Sequence, residues 1–356
     1  MSAYDGTGED LYTDSSSVNA NFATNARVEI DKDGQAPSKP KTATLAAGVT
    51  CEMPVTDYSF SELGGHTLEA APFRMGLGGS TQSDDMVRPR RHDRMFEVSL
   101  TFHATARAID RVCLALFGDG TTPNALLGNM PAATTYKHGV ASIVPVTLHF
   151  EDATHAGVGT DMIFKSCMCT NFTLSGDISS NGGVVMGTVT FVTAYNPTQA
   201  ALTFSGGTHT TVSDHQVMFN MHDLDTTTFT ESGGSSRDIL LYGFELSIAR
   251  TVNRIGFDPD NNFDPAGYVV GGYEVTGSLT MKRDAQSLEV ITYADTAEPL
   301  GALDLDTTVF QISAAKVLID TPSINFDDDG FKQVVPFRCV YSGATTSTIV
   351  SIGTAA

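Results

Sequence analysis

Apolar residues recur at every second position in several separated segments, a period that restricts those segments to strands with one buried and one open face. Phe96, Val98, Leu100 and Phe102 alternate with Glu97, Ser99, Thr101 and His103. Tyr273, Val275, Gly277, Leu279 and Met281 alternate with Glu274, Thr276, Ser278, Thr280 and Lys282. A third run sets Val185, Gly187, Val189 and Phe191 against Met186, Thr188 and Thr190. Charged residues make up only 17% of the chain, and 33 glycines and many threonines accompany them, a composition that favours strands and turns over helices. The fold class expected is mainly β.

The first two runs also match each other. FEVSLTF at 96–102 answers YEVTGSLTM at 273–281 with two extra residues, and from Ser99 and Ser278 onward SLTFHATARAIDRV aligns with SLTMKRDAQSLEVI without a gap. Ala106, Ile109, Asp110 and Val112 fall opposite Ala285, Leu288, Glu289 and Ile291, at spacings that place the apolar members on one helical face. An alternating segment precedes each copy (VTDYSFSEL at 55–63, LLYGFELSIA at 240–249) and a further hairpin follows each. A duplicated unit of about 110 to 150 residues suits two tandem domains better than a solenoid. The expected division is an extended N-terminal arm over 1–46, a first β domain over 47–198, a Thr-, Ser- and Gly-rich linker over 199–238 and a second β domain over 239–356. Each domain is expected to be a β-sandwich or barrel with a short flanking helix.

Composition narrows function by exclusion. A formal net charge of -20 opposes a grip on nucleic acid, which requires Lys and Arg to neutralise phosphates; it suits a wall past which DNA slides without being held. Cys51, Cys113, Cys167, Cys169 and Cys339 are odd in number and read as reduced, largely buried thiols from a cytosolic compartment. Cys167 and Cys169 share a strand face without a second ligand pair at metal spacing. The start MSAYDGTGED lacks a signal-like basic and apolar pattern, and no run reaches the roughly 18 apolar residues of a membrane span, so a soluble chain is expected.

Several clusters invite a chemical reading. Asp258, Asp260, Asn262 and Asp264 have the odd-position spacing of calcium-loop ligands, but the sixth residue is Phe263 instead of Gly and the twelfth Val269 instead of Glu, so a polar hairpin loop is preferred and no metal is assigned. The equivalent loop of the first copy carries Arg88, Arg90, Arg91 and Arg94. One basic and one acidic loop at duplicate positions suggest complementary contacts between halves or between stacked rings. His149, Glu151, Asp152 and His155 lie near one another but not at the spacing of a helical metal-hydrolase motif. No phosphate loop or nucleophile elbow occurs, so no catalytic residue and no cofactor is expected. Asp327, Asp328 and Asp329 before Gly330 form an acidic hairpin turn, with a second reading as residues lining a lumen.

The segments LLYGFELSIARTVNRIGFDPDNNFDPAGYVVGGYEVTGSLTMKR (240–283) and FTLSGDISSNGGVVMGTVTFVTAYNPT (172–198), with the repeat, resemble the tail tube proteins of long-tailed bacteriophages from about residue 50 onward. That resemblance implies a β-sandwich with a flanking helix, whose subunits join through strands into one barrel around a channel. It implies a structural virion protein, assembled in the host cytoplasm into stacked rings of the phage tail, with tape-measure and tail-terminator or baseplate proteins as partners, DNA passing without specific binding, and no membrane. In familiar cases six tube domains form a ring, so a two-domain chain is expected to close a ring of three, with a ring of six chains as the other possibility. Six four-stranded sheets, about 24 strands spaced roughly 4.8 Å apart and tilted near 45°, would enclose a backbone diameter of about 50 Å. The alternative class is a β-sandwich adhesin or virion decoration module.

Overall fold

The structure, a computed structural model, describes residues 27–32, 44–45, 50–63, 66–70, 87–91, 95–117, 135–137, 145–151, 162–199, 203–204, 218–232, 234–256, 265, 267–294, 300–307, 311–327, 330–340 and 350–353. The first half contains β1 (Arg27–Lys32), β2 (Thr44–Leu45), β3 (Thr50–Glu52), β4 (Val55–Leu63), β5 (His66–Ala70), β6 (Val87–Arg91), β7 (Met95–His103), helix α1 (Ala106–Phe117), β8 (Thr135–Lys137), β9 (Val146–Glu151), β10 (Met162–Asp177), β11 (Met186–Thr193) and β12 (Thr198–Gln199). The second contains β13 (Thr203–Phe204), β14 (Leu224–Glu231), β15 (Ser236–Asp238), β16 (Leu241–Ile255), β17 (Gly267–Lys282), helix α2 (Ala285–Ala294), β18 (Leu300–Thr307), β19 (Gln311–Ile319), β20 (Ser323–Asp327), β21 (Gly330–Cys339) and β22 (Ser351–Gly353). The chain is mainly β.

Strand pairing in the two halves follows one plan. In the first, β4 pairs with β7, β7 with β11 and β11 with β10; β10 also pairs with β9, β9 with β1 and β1 with β3, and β3 leads back into β4. In the second, β16 pairs with β17, β17 with β21, and β21 with β20 and the end of β19; β19 pairs with β18, β18 with β14 and β14 with β15, which leads into β16. One long strand serves both layers of the first half because it bends. Its register shifts between Phe164 and Cys167 and again between Cys169 and Asn171, and Ser166 adopts φ 49, the left-handed conformation that bulges use to redirect a strand. The second half makes the same bend with a break, Asp320–Pro322, between β19 and β20.

The alternation seen in the sequence is the burial pattern of the strands. Phe96, Val98, Leu100 and Phe102 are buried while the intervening residues of β7 are half-exposed. Phe102 stacks parallel to Phe172 at 6.4 Å, and burying each such ring stabilises the fold by roughly 1.5–3 kcal/mol. Both helices start at equivalent caps: the Thr105 hydroxyl accepts from the Ala108 amide at 3.2 Å, and Asp284 and Ser287 exchange reciprocal hydrogen bonds at 2.9 and 2.7 Å, which satisfies amides that a helix start leaves orphaned.

Three expectations change. Residues 27–32, assigned to an extended arm, form β1 of the sheet, because Val28 and Ile30 alternate with polar neighbours enough to pair between β3 and β9. The expected linker 199–238 holds β14 and β15, and the Phe229 side chain of β14 is buried in the core. The halves are also joined more closely than tandem domains need be: β10 of the first pairs directly with β16 of the second over Asn171–Asp177, and one cluster of buried apolar residues includes members of both.

Candidate functional site

Pairing of β10 with β16 creates one eight-stranded antiparallel run in the order β4, β7, β11, β10, β16, β17, β21, β20. Register sorts its two faces. Apolar side chains oppose apolar ones toward the core, so on the other face polar residues line up across strands. One row reads Asp57, Thr101, Thr188, Thr173, Ser247, Thr276 and Arg338. The next reads Ser59, Ser99, Thr190, Asn171, Ala249 and Glu274. Hydroxyls bridge the strands, with Thr101 and Thr188 oxygens 3.3 Å apart and Thr173 donating to Ser247 at 3.4 Å across the junction of the halves. Ser247 in turn donates to Asn171 Oδ1 at 3.3 Å. The face is therefore hydroxyl-rich, with Asp57, Glu245 and Glu274 exposed on it and the exposed cations Lys282 and Arg338 confined to its β17–β21 end.

At one end of this junction Asp177 accepts from the Ser179 hydroxyl at 2.5 Å and from the Ser179 amide at 2.7 Å. The Ser179 hydroxyl is the main reason its carboxyl is held below the usual range, with further help from the backbone and from Lys332. The opposite end is clamped by Arg250, which is 5% exposed. Its Nε donates to the Cys169 carbonyl at 2.6 Å, and its guanidinium nitrogens donate to the Leu116 and Ala115 carbonyls at 2.6 and 3.1 Å. It also donates to the Tyr273 hydroxyl at 2.9 Å, which itself donates to Leu116. A cation from the second half thus closes the carbonyl end of α1, where the helix dipole favours positive charge.

Beyond the junction the β16–β17 hairpin continues past the first half. Tyr268 accepts from the Ala194 amide at 2.9 Å, Tyr195 donates to the Pro265 carbonyl at 3.4 Å, and Met168, Val192, Ala194 and Tyr195 pack with Tyr268 in a second apolar cluster. Burial pushes the Tyr268 hydroxyl up to about 12, so it remains protonated.

The residues singled out from sequence are not gathered here. Arg88, Arg90 and Arg91 lie on β6, opposite Glu69, Thr67 and His66 of β5. Arg94, Asp258, Asp260, Asn262, Asp264, Asp328 and Asp329 lie outside the described residues. Asp327 ends β20 opposite Gly330, at the hairpin turn, on the same side of the strand as Ser323 and Asn325 and so in the register of the hydroxyl-rich face. Cys167 and Cys169 are buried, and desolvation raises both thiols, Cys169 to about 12. His149 is buried on β9, and Asp152 and His155 lie outside the described residues. Among the described residues no group of His, Cys, Asp or Glu has a metal-holding arrangement, and no helix is long and apolar enough to cross a membrane. Sequence reasoning passed over Arg250, although Phe244, Leu246 and Ile248 put it at the next core-facing position. It also passed over the rows of Thr and Ser, whose signal was the polar half of each alternating run.

No family model matches the chain, and no curated protein matches its sequence.

Proposed function

We propose that the chain is a structural protein that self-assembles into stacked rings, the tail tube of a long-tailed bacteriophage, and serves as the conduit for DNA ejection. The observation that carries this reading is the edge-to-edge pairing of two duplicated halves into one continuous sheet with an apolar face and a hydroxyl-rich face. A unit that already joins its own copies by strand pairing extends by the same operation, and closure removes the edges that would otherwise aggregate. Three chains supplying eight such strands each make a ring of about 24 strands with a backbone bore near 50 Å. The hydroxyl-rich face then lines the channel. From β4 to β16 its short side chains and exposed carboxylates offer a DNA phosphate backbone little to bind, and its exposed cations, Lys282 and Arg338, are confined to the β17–β21 end. In the virion, tape-measure and terminator or baseplate proteins would define the length and ends of such a tube, and no catalysis or cofactor is required of it.

The test is negative-stain electron microscopy of the purified, concentrated chain, with and without added tail-initiating complex. Rings or tubes of uniform bore are expected. Monodisperse monomers under both conditions would sink the proposal and favour an adhesin or decoration module.

A further inference from the structure

The internal junction is a template for contact between copies. β4 and β16 occupy the same place in the two halves: VTDYSFSEL aligns with LYGFELSIA without a gap, and each strand carries its register shift at the same point, between Val55 and Asp57 and between Leu241 and Gly243. β20 corresponds in the same way to the end of β10, since Ile324 lies opposite Gln333 where Leu174 lies opposite Gly187, and Gln333 and Gly187 face the equivalent residues Met281 and Phe102. Inside the chain Leu174 faces Leu246 across the junction, and the two are 0% and 2% exposed. Their counterparts are Ile324 and Phe60, which are 51% and 43% exposed. The pair that is buried at the junction is thus repeated, uncovered, at the two ends of the eight-stranded run.

We infer that β4 of one copy pairs antiparallel with β20 of the next, with Phe60 opposite Ile324 and Ser61 opposite Ser323, in the register of the internal junction. A second copy of this chain is the occupant because the only partner that a strand of the β4 type takes on its outer edge among the described residues is one of the β10 type, and only another copy offers both open ends. The contact is head-to-tail, so it propagates until a ring closes. A second contact follows from the same correspondence. The β16–β17 hairpin crosses the junction to rest on Thr193, Ala194 and Tyr195, and the matching β5–β6 hairpin of the first half would rest on the neighbour's residues 337–340, FRCV, which align with FVTA at 191–194. The break at Asp320–Pro322 leaves the five residues of β20 for pairing, fewer than the seven positions from Asn171 to Asp177 inside the chain. The contact between copies is therefore the weaker of the two and forms reversibly.

This inference rests on the proposed assembly of the chain and fixes its register. Ser61 and Ser323 are exposed and correspond to Ser247 and Thr173, whose oxygens lie 3.4 Å apart. The full-length chain carrying both Ser61→Cys and Ser323→Cys is assembled, oxidised and run on a non-reducing gel. A ladder of covalent oligomers is expected. Either single variant should give no ladder, and an equal mixture of the two should stop at dimers. Cys51 is replaced by Ser in every variant, and the buried Cys113, Cys167, Cys169 and Cys339 do not compete. Tubes or rings by microscopy without a ladder, or a stronger ladder from Ser61→Cys with Asn325→Cys, would overturn this register while leaving the assembly function standing. Absence of any assembly, with or without oxidation, would overturn both.

Discussion

Arg250 is the residue on which the union of the halves most depends. It is buried and charged, and its donors reach three main-chain carbonyls, two of which are the unsatisfied end of α1. Removing it would strand those carbonyls without solvent, and each buried acceptor left unpaired costs about 1–3 kcal/mol. Arg250→Met is expected to lower unfolding stability by roughly 3–5 kcal/mol in chemical denaturation. Arg250→Lys should recover little of this, because a single ammonium cannot imitate the planar fork that spans Cys169, Leu116 and Ala115. Full stability in the Lys variant would show that charge alone suffices. The position was legible in outline, as the one charged residue in the apolar register of LYGFELSIAR, but its partners were not. They come from α1 and β10, more than 80 positions earlier in the chain, and no local pattern encodes such a meeting.

Elements are legible in the sequence where burial alternates strongly and hidden where Thr carries the strand. β7, β11 and β17 announce themselves by large apolar residues at every second position. In β14, LDTTTFTE, the buried side chains include Thr227 and Phe229, so a Thr-rich strand passes for a linker until its pairing with β18 is known. The paired elements also set tight local packing that composition conceals. In β11 a Cβ on Gly187 would lie 2.6 Å from Phe102 Cζ, because the Phe102 ring of β7 lies over the glycine opposite it. Gly187→Val should therefore destabilise the chain by about 1–3 kcal/mol through overpacking. Phe102→Leu, made in that background, should cost less than it does alone, giving a coupling energy in a double-mutant cycle of roughly 0.5–3 kcal/mol. Strict additivity would mean that the ring moves aside freely.

At the scale of the whole molecule, the proposed assembly of a chain with a net charge of -20 would have to overcome its own repulsion. The sequence makes that tension visible in the acids of the 327–329 turn, of which Asp327 falls in the register of the open face, and pairing across the halves adds Asp57, Glu245 and Glu274 to that face; which face a side chain takes is settled only by that pairing. The proposed register adds a local cost. Gly243 faces Asp177 at the internal junction, and the corresponding positions between copies are Asp57 and Asp327, a like-charged pair. Two such charges about 4 Å apart in water repel by about 1 kcal/mol, and salt at about 0.1 M screens charges separated by more than roughly 10 Å. Hydrogen bonds and apolar contact between β4 and β20 respond little to salt, so raising ionic strength should strengthen association. In sedimentation velocity across a salt series, the wild-type chain should form larger species as salt rises, and Asp57→Asn should reach them at lower salt. If salt instead dissolved the assemblies, attraction between opposite charges would dominate the contact, and the arginines of β6 meeting a neighbour's acidic surface would be its source.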